Sequence, residues 1–159
     1  MEPAQLPLRI GLRDGATLAN FLAGPNAAAV AALESTDEPF LYLWGGAGTG
    51  KSHLLQALCH QLSAAGGAPV YLPLSDGALA PEICEGLEAM PLVCLDDVQA
   101  VAGNPEWETA LFHFYNRIRE AGGRLVVAGT APPGQLGVSL PDLRSRLGWG
   151  PVFHLQPLS

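Results

Sequence analysis

Residues 45–52 read GGAGTGKS. Gly45, Gly50, Lys51 and Ser52 satisfy the spacing G-x-x-x-x-G-K-[ST], which only works between the end of a buried strand and the start of a helix. Glycines let successive backbone N–H groups turn inward around a phosphate. The following helix adds its positive N-terminal end. The flanks agree with this demand. Residues 40–44 (FLYLW) form an apolar run suited to a buried strand, and Leu54, Leu55, Leu58 and Leu62 recur at helical spacing across residues 52–64. Lys51 is the only lysine among eight basic residues. A chance lysine in a Gly-rich turn leaves that placement unexplained; a phosphate site requires it, with Lys51 reaching the β/γ-phosphates and Ser52 available to Mg²⁺.

The rest of the chain repeats the alternation. Further strands are expected at residues 69–74 (PVYLPL), 92–95 (LVCL), 124–128 (RLVVA) and 151–155 (PVFHL). Helices are expected at residues 81–90, 105–121 and 140–147, the second closed by Gly122-Gly123. Another helix should follow Pro25 within the Ala-rich tract at residues 18–33. Continuous apolar strands separated by helices argue for an α/β fold of three αβα layers around a mostly parallel five-stranded sheet.

A length of 159 residues suits one domain able to bury a core without disulfides or metals. The net charge of −7 and scattered arginines give no basic stripe, so strong direct nucleic-acid binding is not expected. Cys59, Cys84 and Cys94 lack the CxxC spacing of zinc or redox sites. No signal-peptide pattern and no membrane-length apolar stretch are present, which makes the cytoplasm the expected location.

A P-loop protein also needs a carboxylate at the end of a neighbouring strand. LVCLDD supplies Asp96 as the metal-side group, with Asp97 where a water-polarising base belongs. An acidic turn after a strand is common, and only the P-loop gives this pair its meaning. Asp97 is one methylene shorter than the glutamate many such ATPases carry, and a misplacement of about 1 Å can cost ~10²-fold in rate. Weak or absent autonomous hydrolysis is therefore expected. Thr130, after the fourth strand, either senses the γ-phosphate or simply opens the turn into Pro132-Pro133.

Several segments together resemble the DnaA-related AAA+ family, and within it the Hda-type regulators. They are LWGGAGTGKSHLLQA, LVCLDD, FHFYN at residues 112–116, GTAPP, and LRSRLGWG at residues 143–150. The resemblance spans nearly the whole chain. It implies an AAA+ nucleotide-binding base domain over residues 13–159 that binds ATP or ADP with Mg²⁺. Gly45, Gly46, Ala47, Gly48, Thr49, Gly50, Lys51, Ser52 and His53 would hold the phosphates. Ser52 and Asp96 would serve the metal. Leu18 and Phe21, with Asn26, would wall the adenine. Asp97 and Thr130 would stand in the hydrolysis and sensor positions, and Arg146 would be the arginine finger acting on a neighbour's ATP.

Residues 1–12 would form a flexible clamp-binding segment, with Gln5, Leu6 and Leu8 similar to a short motif that fits an apolar groove. The implied function is negative regulation of chromosomal replication initiation through DnaA and the DNA polymerase III sliding clamp (β subunit), with no membrane partner and room for a homo-oligomer. Two features depart from the family. The chain stops at Ser159, short of the helical lid, and Thr130 replaces an acidic residue. The competing readings are an autonomous Mg²⁺-dependent ATPase, an initiator or helicase-loader fragment, and an adaptor whose nucleotide is structural.

Overall fold

A computed structural model describes residues 26–35, 37–46 and 49–157. The elements are α1 (Ala27–Glu34), β1 (Phe40–Trp44), α2 (Lys51–Ala64), β2 (Pro69–Pro73), β3 (Leu92–Asp96), α3 (Pro105–Ala121), β4 (Leu125–Gly129), α4 (Pro141–Leu147) and β5 (Val152–His154). The five strands pair in the order β2-β3-β4-β1-β5, every pair parallel. The expected α/β architecture is thus present. No helix among the described residues is long and apolar enough to cross a membrane.

The strands are apolar throughout because the sheet is covered on both faces. Side chains alternate between two cores, as a period of two requires. Leu41, Leu43, Cys94, Val126 and Ala128 face α1 and α2. Phe40, Tyr42, Val93, Leu95, Leu125 and Val127 face α3 and α4. On α3, Leu111, Phe114, Tyr115 and Ile118 are fully buried at helical spacing, each contributing about 1.5–3 kcal/mol.

Local chemistry sets the helix limits. Asn104 accepts from the N–H groups of Glu106 and Trp107 at 3.0 and 3.2 Å, and Pro105 takes the first helical position. Gly122, at φ 77°, closes α3 in the left-handed conformation. The expected helix over residues 81–90 is instead two short 3₁₀ turns, Pro81–Cys84 and Leu87–Ala89. Glu85 is extended and Gly86 has φ 90°, so the helical path breaks between them.

Arg124 ties the N-terminal helix to the sheet. Its guanidinium donates to the carbonyls of Ala32, Leu33, Ser35 and Glu38, over 2.7–3.1 Å. Those carbonyls lie at and beyond the end of α1, where a cation also meets the negative end of the helix.

Candidate nucleotide site and arginine cluster

The loop at residues 45–50 leaves the C-terminal end of β1, between β4 and β5, and runs into α2. The Gly45 N–H donates to the Gly129 carbonyl at 3.3 Å, which anchors the loop to the end of β4. Thr49, 3% exposed, donates its hydroxyl to the Gly46 carbonyl at 2.8 Å. Gly50 caps α2 at φ 85°, a conformation that a side chain would strain. Lys51 follows and folds back, its Nζ donating to the Gly45 and Gly46 carbonyls at 2.7 and 3.1 Å. Its ammonium is thereby held inside the turn. Ala47 and Gly48 lie outside the described residues, as do Gln5, Leu6, Leu8, Leu18 and Phe21. His53 sits half-buried in the first turn of α2. Asn26 is buried and clasps the backbone of Gln156, donating to its carbonyl at 3.0 Å and accepting from its N–H at 2.8 Å.

Asp96 closes β3 and is fully buried. Its Oδ2 accepts from the Tyr71 hydroxyl at 2.6 Å, and its Oδ1 accepts from the Asp97 N–H at 2.9 Å. The Ser52 side chain, in the first turn of α2, stands near this carboxylate. Burial pushes the Asp96 pKa up, against the Ser52 and Tyr71 side chains, which favour the charged form, while the Asp97 charge adds to the rise. Burial, then the Asp96 charge, raises the Tyr71 pKa too, so Tyr71 remains a donor. Ser52 and Asp96 make a sparse oxygen set beside the loop. Such a set suits Mg²⁺, which keeps several waters and takes substrate phosphates as ligands. Among the described residues there is no cluster of three or more His, Cys, Asp or Glu that would hold a metal unaided.

The other expected site residues fall at different distances from this centre. Asp97 has φ 56° and ψ 46°, and its carboxylate accepts from Ser75 Oγ at 2.9 Å and Gln99 Nε2 at 3.4 Å. Aspartate tolerates this left-handed geometry better than most residues. Thr130 is exposed just beyond β4, beside Ala131, whose carbonyl accepts from the Tyr42 hydroxyl at 2.6 Å.

Arg146 lies on the opposite side of the sheet, on α4. Its Nε donates to Asn116 Oδ1 at 3.0 Å, and its guanidinium carbon stands 5.0 Å from the Phe112 ring centre and 4.4 Å from that of Trp149. Trp149 in turn packs edge-on against Phe40 and Tyr115. The FHFYN and LRSRLGWG segments therefore form one structure, an arginine fixed by two rings and an amide. Gly150 completes it, since any Cβ there would run into the Phe40 carbonyl.

Sequence reading missed three polar residues. Tyr71 on β2 donates to Asp96, and Gln56 on α2 donates to Tyr71; the weak available signal was a polar group within each apolar pattern. Glu108, only 2% exposed, accepts from the N–H groups of Gly103, Ser139 and Leu140 at 2.5–3.1 Å and so fixes the start of α4.

Comparison with known proteins agrees with this geometry. The family model of the bacterial DnaA ATPase domain matches residues 79–154. AMPPCP-bound DnaA from Aquifex aeolicus is 27% identical with a TM-score of 0.79, covering 92% of this chain and 51% of that one. Domain III of the DnaA protein from Thermotoga maritima is 26% identical with a TM-score of 0.79, covering 93% of this chain and 70% of that one. The chain spans about half the length of the first initiation-factor chains it matches, 51–52% of each. Protein NMB1076 from Neisseria meningitidis is 35% identical with a TM-score of 0.59, covering 86% of this chain and 88% of that one. The chain belongs to the family of this Neisseria protein, and its fold is that of a DnaA-type AAA+ base domain.

Proposed function

We propose that this chain is a nucleotide-dependent negative regulator of chromosomal replication initiation, of the Hda type. ATP or ADP occupies the loop at residues 45–52, and Lys51 exchanges its loop carbonyls for phosphate oxygens. Ser52 and Asp96 hold Mg²⁺ against those phosphates. The chain then contacts DnaA–ATP while Gln5, Leu6 and Leu8 engage the sliding clamp. Arg146 neutralises charge on DnaA's γ-phosphate and accelerates hydrolysis there.

The observation that carries this reading is the setting of Arg146. Among the described residues its contacts are Asn116, Phe112 and Trp149, and none belongs to the phosphate loop. A guanidinium stacked between rings is already ordered, so less side-chain entropy is lost when it meets a phosphate. The nucleotide part gains support from the AMPPCP bound to the Aquifex relative.

The test is ATP turnover by DnaA with DNA-loaded clamp. Adding this chain should accelerate hydrolysis, and Arg146→Ala should remove most of that effect, since fingers contribute roughly 10³–10⁵-fold. Arg146→Lys should fail as well, because an ammonium lacks the planar fork. Stimulation that survives both changes would refute the finger role. Brisk turnover by the chain alone would instead favour an autonomous Mg²⁺-dependent ATPase, for which Asp97, tied to Ser75 and Gln99, would be the base.

A further inference from the structure

Three residues from three elements form a directed chain of hydrogen bonds behind the phosphate loop. Gln56 on α2 donates from Nε2 to the Tyr71 hydroxyl at 3.4 Å. Tyr71 on β2 donates to Asp96 Oδ2 at 2.6 Å. The Asp97 N–H holds Oδ1, and the Ser52 side chain stands near the same carboxylate. All three members are enclosed, with Gln56 5%, Tyr71 4% and Asp96 0% exposed. The remaining oxygen of Gln56 is buried and has no hydrogen-bond partner among the described residues. A buried orphan of this kind carries a desolvation cost that packing alone would avoid.

Chemistry explains why such a chain belongs here. A donor that is itself hydrogen-bonded is further polarised, so the Gln56 amide reinforces the Tyr71 hydroxyl that donates to Asp96. The Tyr71 hydroxyl also fixes the rotation of the carboxyl group. With Oδ2 committed to Tyr71 and Oδ1 to the Asp97 amide, one lone pair on each oxygen remains for another partner. The Ser52 hydroxyl can donate to Asp96 and still offer its oxygen lone pair to a cation.

We propose that Tyr71 is a positioning residue for the divalent cation of the nucleotide site, acting through Asp96 and supported by Gln56. This inference rests on the nucleotide-site reading given above. It adds the group that orients the metal-side carboxylate. Outer partners of metal-binding carboxylates typically govern 10–100-fold in metal affinity.

The experiment titrates Mg²⁺ into the full chain with a fluorescent ADP or ATP analogue and compares wild type with Tyr71→Phe. The phenyl ring keeps the packing and loses the hydroxyl, both its donation to Asp96 and its acceptance from Gln56. Nucleotide affinity in EDTA should be unchanged, while the Mg²⁺ concentration at half-effect should rise by about 10–100-fold. An unchanged Mg²⁺ midpoint would overturn the proposal and leave the nucleotide site intact. Equal weakening with and without Mg²⁺ would also overturn it, since that marks a merely structural role. Absence of nucleotide binding by wild type would overturn the underlying site reading, and this proposal with it. Thermal unfolding monitors integrity. Should Tyr71→Phe fail to fold, Gln56→Leu removes the donor behind the hydroxyl. A shift of its Mg²⁺ midpoint in the same direction supports the proposal, and no shift overturns it.

Discussion

Replacing Glu108 by alanine removes one carboxylate and leaves three backbone N–H groups without their acceptor. In the native protein those groups belong to Gly103, Ser139 and Leu140. The side chain is 2% exposed, so water does not readily take its place. Each orphaned buried donor costs about 1–3 kcal/mol, and water admitted to the new space recovers part of that, which leaves a loss of roughly 3–5 kcal/mol. For a chain of this length each kcal/mol moves Tm by about 2–4 °C, so a fall of roughly 6–20 °C is expected. Glu108→Gln keeps one acceptor oxygen and should lose about half as much.

Burial raises the Glu108 pKa, but the Ser139, Gly103 and Leu140 amides and then the Arg144 charge outweigh it, so the net shift is downward. A depressed folded pKa means stability that is present above the unfolded value, about 4.3, and is lost as pH falls through the lower folded value. Urea unfolding at pH 7 and at pH 3 measures both effects. Wild type should lose stability between these pH values, and Glu108→Gln should lose less of it. Hydrogen exchange at Ser139 and Leu140 should quicken in both variants. A Glu108→Ala protein within 1 kcal/mol of wild type at pH 7 would refute the reasoning.

Lys51→Ala removes the ammonium bound to the Gly45 and Gly46 carbonyls; nucleotide affinity by fluorescence titration should fall by about 10–100-fold, as for loss of one charge-assisted bond. Asn116→Ala frees Arg146 Nε, so stimulation of DnaA hydrolysis should drop while the chain's own nucleotide affinity stays unchanged, two readouts from the same preparation. Gly150→Ala drives a methyl group into the Phe40 carbonyl, and urea unfolding should register a loss of at least about 1–3 kcal/mol, the usual range for overpacking.

Elements set by neighbours in sequence were legible from the sequence. The α3 boundaries follow from Asn104-Pro105 at one end and Gly122 at the other. The strands follow from apolar runs that two-sided burial demands, and the phosphate loop from glycine spacing. The segment at residues 81–90 misled because helical spacing says nothing about Gly86 adopting φ 90°. Tyr71, Gln56 and Glu108 were hidden for another reason. Apart from Gly103, five residues before Glu108, their partners lie 15–32 residues away, so only the folded sheet brings them together. Arg146 and Asn116 are 30 residues apart. Their motifs could be recognised singly, but their contact could not be read from either one.

The guanidinium of Arg124 has a mechanical consequence. It grips the carbonyl end of α1 just before β4 begins, and at the other end of that strand the Gly129 carbonyl takes the N–H of Gly45. A parallel strand of five residues is a stiff strut about 16 Å long, clamped along both edges by β1 and β3. Through Arg124 and Gly129, α1 and the phosphate loop are therefore fastened to opposite ends of one strut.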